Sequence, residues 1–317
     1  MGKPEIVFTR IDSTHFVKDR FIGFLFLLIV GTVVLSFFFT FEDMEAFFKR
    51  DNATEKVTPR AKEIPTDEKV SEVKEVMEVK VESNEPFVPE SIPHFADPTH
   101  LPDQQVVRHY AISLQYNEYY EQASWVAYRL SSRHLNGKYA RTNNFTLDPK
   151  VSSKSAGDND YRRSGYDRGH LAPAADMKSS KKAMDQCFYM SNISPQKRDF
   201  NGGVWLELEE LIRDWTRDEK VLYIVTGPVL PKGLKRIGKN KVGVPKHFYK
   251  VILDVEEPEF KAIGFLMKNR GTSKNPKYFA VSVDSVEKFT GLNFFPALPD
   301  SIEWRIESRM NKKDWDF

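Results

Sequence analysis

A stretch of 21 residues from Phe21 to Phe41 carries no charge and consists largely of Phe, Leu, Ile and Val. As a helix rising about 1.5 Å per residue it reaches about 31 Å, enough to cross the hydrocarbon core of a bilayer. Lys18, Asp19 and Arg20 bound it on one side, Glu42 and Asp43 on the other. A cleaved secretory signal is the competing reading. Against it, the run exceeds the roughly 7–15 apolar residues of such signals, and no A-x-A-like site follows. Lys3, Arg10, Lys18 and Arg20 precede the run, whereas the next basic residues are Lys49 and Arg50. That bias predicts a cytoplasmic tail over residues 1–20, one membrane span over 21–41, and an extracytoplasmic remainder, periplasmic or extracellular.

Beyond the run the chain changes character. Residues 42–103 are dense in Glu and Lys and contain Pro59, Pro65, Pro86, Pro89, Pro93, Pro98 and Pro102. Valines at 70, 73, 76, 79 and 81 give EKVSEVKEVMEVKVE a helix-like rhythm. Two heptads fall short of a persuasive coiled coil, so a solvated, mostly disordered stalk is the expectation. The net charge of +2 for 317 residues conceals a division. Residues 1–103 hold 12 Lys and Arg against 19 Asp and Glu, a charge of −7, and residues 104–317 hold 35 against 26, a charge of +9. With 40% hydrophobic residues overall, a collagenous, wholly disordered or multi-span chain is excluded. A single cysteine, Cys187, excludes an intramolecular disulfide framework.

Residues 104–317 read as one folded body. Short runs at His109–Ser113, Gln115–Tyr120, Ala123–Leu130, Cys187–Ile193, Val221–Thr226, Phe248–Asp254, Phe260–Met267 and Tyr278–Val283 predict strands and turns. With few helices between them, they argue for an antiparallel sheet and not for repeated βαβ units. One helix is legible, Asn201–Trp215. Val204, Trp205, Leu208, Leu211, Ile212 and Trp215 form a single apolar stripe on it. Asn201 projects near the centre of that stripe at the helix N-terminus, so its amide faces protein. Glu209 lies on the stripe's shoulder with Arg213 at i+4 on the same side.

The segment richest in chemical groups is YRRSGYDRGHLAPAADM, residues 161–177, in which Asp167, Arg168, Gly169 and His170 are consecutive. His15, His94, His100, His109 and His134 are read as ordinary core or surface imidazoles; His170 stands apart by its neighbours. Asn192, Gln196 and Asn201 follow in SNISPQKRDFN, which leads into the helix. DRGH, then YMSNISPQ, then N-x-x-x-W-x-x-x-E resembles the sugar-non-specific DNA/RNA endonucleases, and the likeness continues through TGPVL, VPKHFYKVILD and VSVDSVEKFTGLNFFP. It covers about residues 104–317 and leaves out the apolar run and the stalk.

The resemblance implies an α+β fold of the ββα-metal (His-Me finger) class, a central antiparallel sheet flanked by helices. It implies His170 as general base and Asn201 as the one direct protein ligand of Mg²⁺, with Mn²⁺ a substitute. Glu209 would orient metal-bound waters, Arg168 would grip the phosphate, and Arg141 and Arg213 match arginines near the scissile bond. Asn192 and Gln196 are carried over as substrate-binding, and Asp167 as part of the catalytic loop, orienting it or pairing with an arginine. The chemistry agrees: Mg²⁺ keeps several waters and needs few protein ligands. A neutral imidazole with an ordinary pKa near 6.5 can take a proton from water.

DNA and RNA are the implied substrates, cut to 5′-phosphate ends. Phosphate contacts would dominate, as the +9 body suggests. Lys232, Lys235, Arg236, Lys239, Lys241, Lys246 and Lys250 form one basic segment, and Lys178, Lys181 and Lys182 another; each is either a solvated face or a contact to nucleic acid. Two other readings stay open: a membrane-tethered nucleic-acid-binding or uptake protein without catalysis, and a phosphodiesterase of small nucleotides. No protein partner is evident, and the oligomeric state, homodimer included, stays open.

Overall fold

A computed structural model of the chain describes residues 94–219, 221–256 and 260–317. The tail, the apolar run and the stalk through residue 93 lie outside the described residues. Among the described residues no helix is long and apolar enough to cross a membrane.

The central sheet has seven strands in the order β1-β2-β3-β6-β9-β10-β11. These are β1 (Gln105–Arg108), β2 (Ser113–Asn117), β3 (Gln122–Ser131), β6 (Val221–Pro228), β9 (His247–Asp254), β10 (Lys261–Lys268) and β11 (Ala280–Val281). Every neighbouring pair is antiparallel, as the short unalternated runs predict. Two-stranded ribbons pair β4 (Asp167–His170) with β5 (Ile193–Gln196) and β7 (Arg236–Ile237) with β8 (Val242–Gly243). The helices are α1 (Ser132–Leu135), α2 (Lys181–Cys187), α3 (Arg198–Asn201), α4 (Val204–Glu219), α5 (Val283–Thr290) and α6 (Asp300–Glu307).

β9 is buried along its whole length, so both faces of the sheet are covered there. Successive side chains of a strand point to opposite faces. Phe248 and Ile252 accordingly join the core formed by the α4 stripe, Val204, Trp205, Leu208, Ile212 and Trp215. Tyr249 points the other way and packs edge-on against Phe294, with ring centroids 5.6 Å apart. Packing also reaches back beyond residue 104: the Phe95 ring lies 4.8 Å from that of Tyr223, and Arg108 pairs with Asp97 at 3.1 Å.

Three expectations are corrected. Cys187–Ile193 is not a strand; α2 ends at Cys187, a single 3₁₀ turn covers Met190–Asn192, and β5 begins only at Ile193. The apolar positions of CFYMSNI, interrupted by Ser191 and Asn192, fit a buried helix end as well as a strand. The helix at Asn201–Trp215 is two elements, because α3 closes at Asn201 and α4 starts at Val204 and runs to Glu219. Gly203 permits the joint, since a Cβ there would stand 2.4 Å from the carbonyl oxygen of Asp199. Finally, Lys250 does not belong to a surface loop. It lies in mid-β9, fully buried, with Nζ 4.5 Å from the centre of the Trp205 ring.

Candidate active site

The ribbon β4–β5, the turn α3 and the helix α4 follow one another and place their polar residues around one groove. In the ribbon, Asp167 pairs with Gln196 and His170 with Ile193. Gly169 is required by close approach: a Cβ there would lie 2.1 Å from the Gln196 side-chain oxygen. The Gln196 amide therefore presses against the backbone of β4 and brings the two strands together.

The groove has two compartments that share Arg141, Arg168 and Asn201. The outer one, about 570 Å³, adds Asp158, Arg162, Tyr166 and Arg198 to its walls. The inner one, about 270 Å³, adds His170, Glu209 and Arg213. Seven of the nine expected site residues line these walls: Arg141, Asp167, Arg168, His170, Asn201, Glu209 and Arg213.

His170 is 7% exposed, its ring edge-on to Phe188 at 4.8 Å and tilted against Phe145 at 5.6 Å. Burial, and then the positive charges of Arg141 and Arg168, push its pKa down to about 3. The imidazole is neutral at any pH near 7, as a proton acceptor must be. Phe145 and Phe188 also carry the two arginines on their faces. The Arg168 guanidinium lies 4.2 Å from the Phe145 ring centre and that of Arg141 5.1 Å from the Phe188 ring centre. Arg168 is further held by Asp158, and Arg141 donates through Nε to the Asn143 side-chain oxygen at 2.7 Å.

Asn201 donates through Nδ2 to Asp167 Oδ2 at 3.3 Å. The amide is thus oriented nitrogen toward Asp167, and its oxygen is the atom left for a cation. Asp167 also pairs with Arg198 at 3.6 Å. Its carboxylate is thus engaged on both sides, by the Asn201 amide and the Arg198 guanidinium.

Behind the inner compartment lies a buried charge network. The Tyr128 hydroxyl donates to Asp176 Oδ2 at 3.0 Å and Arg213 Nη1 donates to Asp176 Oδ1 at 3.2 Å. Lys250 Nζ donates to the Leu171 carbonyl and the Thr226 hydroxyl, each at 3.2 Å. Burial raises the Glu209 carboxyl, Lys250 opposes that shift and Asp176 adds to it; burial likewise lowers Lys250, which Glu209 and Asp176 partly restore. Arg213 is therefore anchored by Asp176 and not by Glu209 one turn before it. Asp176 and Tyr128 went unread in the sequence, and Lys250 was counted there only as part of a basic segment. A lysine in the middle of FYKVILD was their one visible signal, because a charge inside a buried strand must find a partner.

Asn192 and Gln196 stand outside the groove walls. Both are 0% exposed. Asn192 accepts from the Ala172 amide at 2.9 Å and donates to the carbonyls of Ala172 and Cys187 at 2.9 and 2.8 Å. It staples the segment after His170 to the end of α2, and neither residue lines the groove. Among the basic clusters, Lys181 pairs with Asp185 at 2.6 Å and Lys182 lies 5.5 Å from the centre of the Tyr110 ring, away from the groove walls. Lys235 differs: with Lys197 it flanks Tyr166 in the outer compartment, at 5.6 and 4.5 Å from the ring centre.

Residues 90–301 match the family model described as DNA/RNA non-specific endonuclease. A mitochondrial nuclease EXOG of Danio rerio is 39% identical over 202 residues, covering 58% of this chain and 59% of that protein. Nuclease C1 of Cunninghamella echinulata var. echinulata is 38% identical, covering 66% and 89%. The crystal structure of an EndoG/EndoGI complex aligns with a TM-score of 0.57 at 32% identity, over 61% of this chain and 86% of that one. The chain thus spans about three-fifths of the length of the mitochondrial relatives it matches.

Proposed function

This chain belongs to the DNA/RNA non-specific endonuclease family, and from that premise we propose that it hydrolyses phosphodiester bonds of DNA and RNA without reading base sequence, leaving 5′-phosphate ends. The observation that carries the reading is the meeting of a buried neutral imidazole, an oriented amide oxygen and two arginines at the junction of the compartments.

The donor set fits a hard, well-hydrated cation. Asn201 offers one neutral oxygen, and Glu209 faces the same compartment. Asn201 would hold Mg²⁺, with Mn²⁺ as substitute, and Glu209 would orient its waters. Once bound, the ion supplies charge neutralisation at the phosphate and at the leaving oxygen. The other parts come from side chains. His170 accepts a proton from the attacking water; a water nucleophile is required, because a 2′-hydroxyl mechanism cannot cut DNA. Arg141 and Arg168, preset on Phe188 and Phe145, hold the phosphate and answer charge that develops on its oxygens. Arg162, Arg198 and the lysines around Tyr166 would track the polymer outward from the cut.

The same proposal includes a tether. The charge-free run 21–41 and the basic residues before it support a single span, the tail over 1–20 cytoplasmic and the catalytic body extracytoplasmic beyond a stalk. Protease added to intact cells, after permeabilisation of any outer membrane, should release the body; complete protection would refute that orientation.

The activity test uses the purified full chain on plasmid DNA and structured RNA, with and without Mg²⁺. Wild type should degrade both only with the metal, and His170→Ala should lose about 10²–10⁴-fold in rate. Failure of wild type to cut either polymer would sink the nuclease reading; unchanged cutting by His170→Ala would sink the assigned base.

A further inference from the structure

The C-terminal helices hold a second group of acids, none of which lines the groove. One side-chain oxygen from each of Asp284, Glu287 and Glu307 lies within 4.8 Å of the others. Asp284 is in the first turn of α5, Glu287 one turn later on the same face, and Glu307 is the last residue of α6. Asp284 is exposed and needs no partner but water. Glu307 is different. It is 4% exposed, and its Oε1 is buried without a hydrogen-bond partner. It sits at a helix C-terminus, where the backbone already presents partial negative charge. Burial, and then the neighbouring Glu287, Glu303 and Asp284, push its carboxyl up to about 9.

We propose that Asp284, Glu287 and Glu307 bind a calcium ion that ties the start of α5 to the end of α6. A buried carboxylate without a counter-charge is costly, and a divalent cation shared with two further carboxylates removes that cost. Glu287 is prepared for this role, because the Phe294 amide donates to its Oε1 at 2.8 Å and fixes the side chain while the other oxygen stays available. The ligands are all oxygen, which selects a hard cation. Ca²⁺ takes oxygens in flexible geometry, which suits carboxylates offered from two different helices, whereas Mg²⁺ demands a near-ideal octahedron and keeps most of its waters. Its role is to hold the last helices together, separate from the chemistry of the groove.

The test uses full-length protein carrying Asn201→Ala, stripped with a chelator, so that the cation ligand of the groove is absent. Calcium titrated calorimetrically into this protein should bind at one site per chain and raise the midpoint of thermal unfolding by a few degrees. Adding Asp284→Asn or Glu307→Gln should weaken binding roughly tenfold or more and abolish the shift. Should Glu307→Gln fail to fold, the exposed Asp284→Asn carries the test alone. No calcium binding by the Asn201→Ala protein, or equal binding after Asp284→Asn, overturns the site; Mg²⁺ binding as tightly as Ca²⁺ overturns the choice of ion. Neither readout depends on cleavage, so the result stands apart from the nuclease reading.

Discussion

His170 is kept neutral by its surroundings. An ordinary histidine takes a proton below about pH 6.5, yet burial beside Arg141 and Arg168 delays this to about 3. Between those values the unfolded chain binds more protons than the native one, so stability falls as pH falls through that window, by at most about 1.4 kcal/mol per pH unit from this group. His170→Gln, which cannot titrate, should show a shallower loss of stability from pH 6.5 to 4 in urea unfolding. The wild-type cleavage profile should show no limb near pH 6.5; one there would mean that the ring is solvated. Asp167 yields a separate expectation. If it acts by orienting Asn201, Asp167→Ala should raise the Mg²⁺ concentration for half-maximal cleavage by about 10–100-fold, with a smaller loss of rate at saturating metal. At this scale the sequence is readable where residues of one motif meet in space, as His170 and Asn201 do in the inner compartment. It misleads where only polarity is visible. Asn192 looks like a contact to substrate, but burial, which no single residue type declares, turns its amide to the backbone of Ala172 and Cys187.

The ribbon β4–β5 and the helix α4 convert that chemistry into geometry. The helix stripe was legible because Trp205, Leu208, Ile212 and Trp215 repeat with the helical period and nothing polar interrupts them. Its division was not, because two glycines inside a periodic stretch are merely poor helix formers until the Asp199 carbonyl is seen against Gly203. β4 went unread for a related reason: DRGH has neither apolar alternation nor length, and it is extended only because β5 pairs with it. The contact that sets their spacing can be tested. Gly169→Ala should destabilise the native state by about 1–3 kcal/mol, the cost of overpacking. Removing the obstructing amide with Gln196→Ala in the same chain should recover part of that loss. Urea unfolding of the two single variants and the double variant would show it as non-additivity; strict additivity would mean that the two residues do not touch.

Across the whole molecule, the nearly neutral total hides an N-terminal −7 and a body of +9, and five of the body's arginines line the groove: Arg141, Arg162, Arg168, Arg198 and Arg213. Arg162 and Arg198 stand in its outer compartment, paired with Asp158 and Asp167 at 3.5 and 3.6 Å. Both are largely exposed, so the pairs are weak and a phosphate can replace either carboxylate at little cost. Lys181 and Lys182 carry the same charge but serve Asp185 and Tyr110. If binding is dominated by phosphate contacts, kcat/KM on duplex DNA should fall linearly with salt on a double-logarithmic plot, with a slope of about −0.9 for each phosphate neutralised. Replacing Arg162 and Arg198 by Gln should make that slope shallower by about 2 and leave the rate at saturating DNA nearly unchanged. Replacing Lys181 and Lys182 by Gln should leave the slope where it was. The reverse pattern would place the nucleic-acid track on the α2 side, with the groove receiving only the bond to be cut.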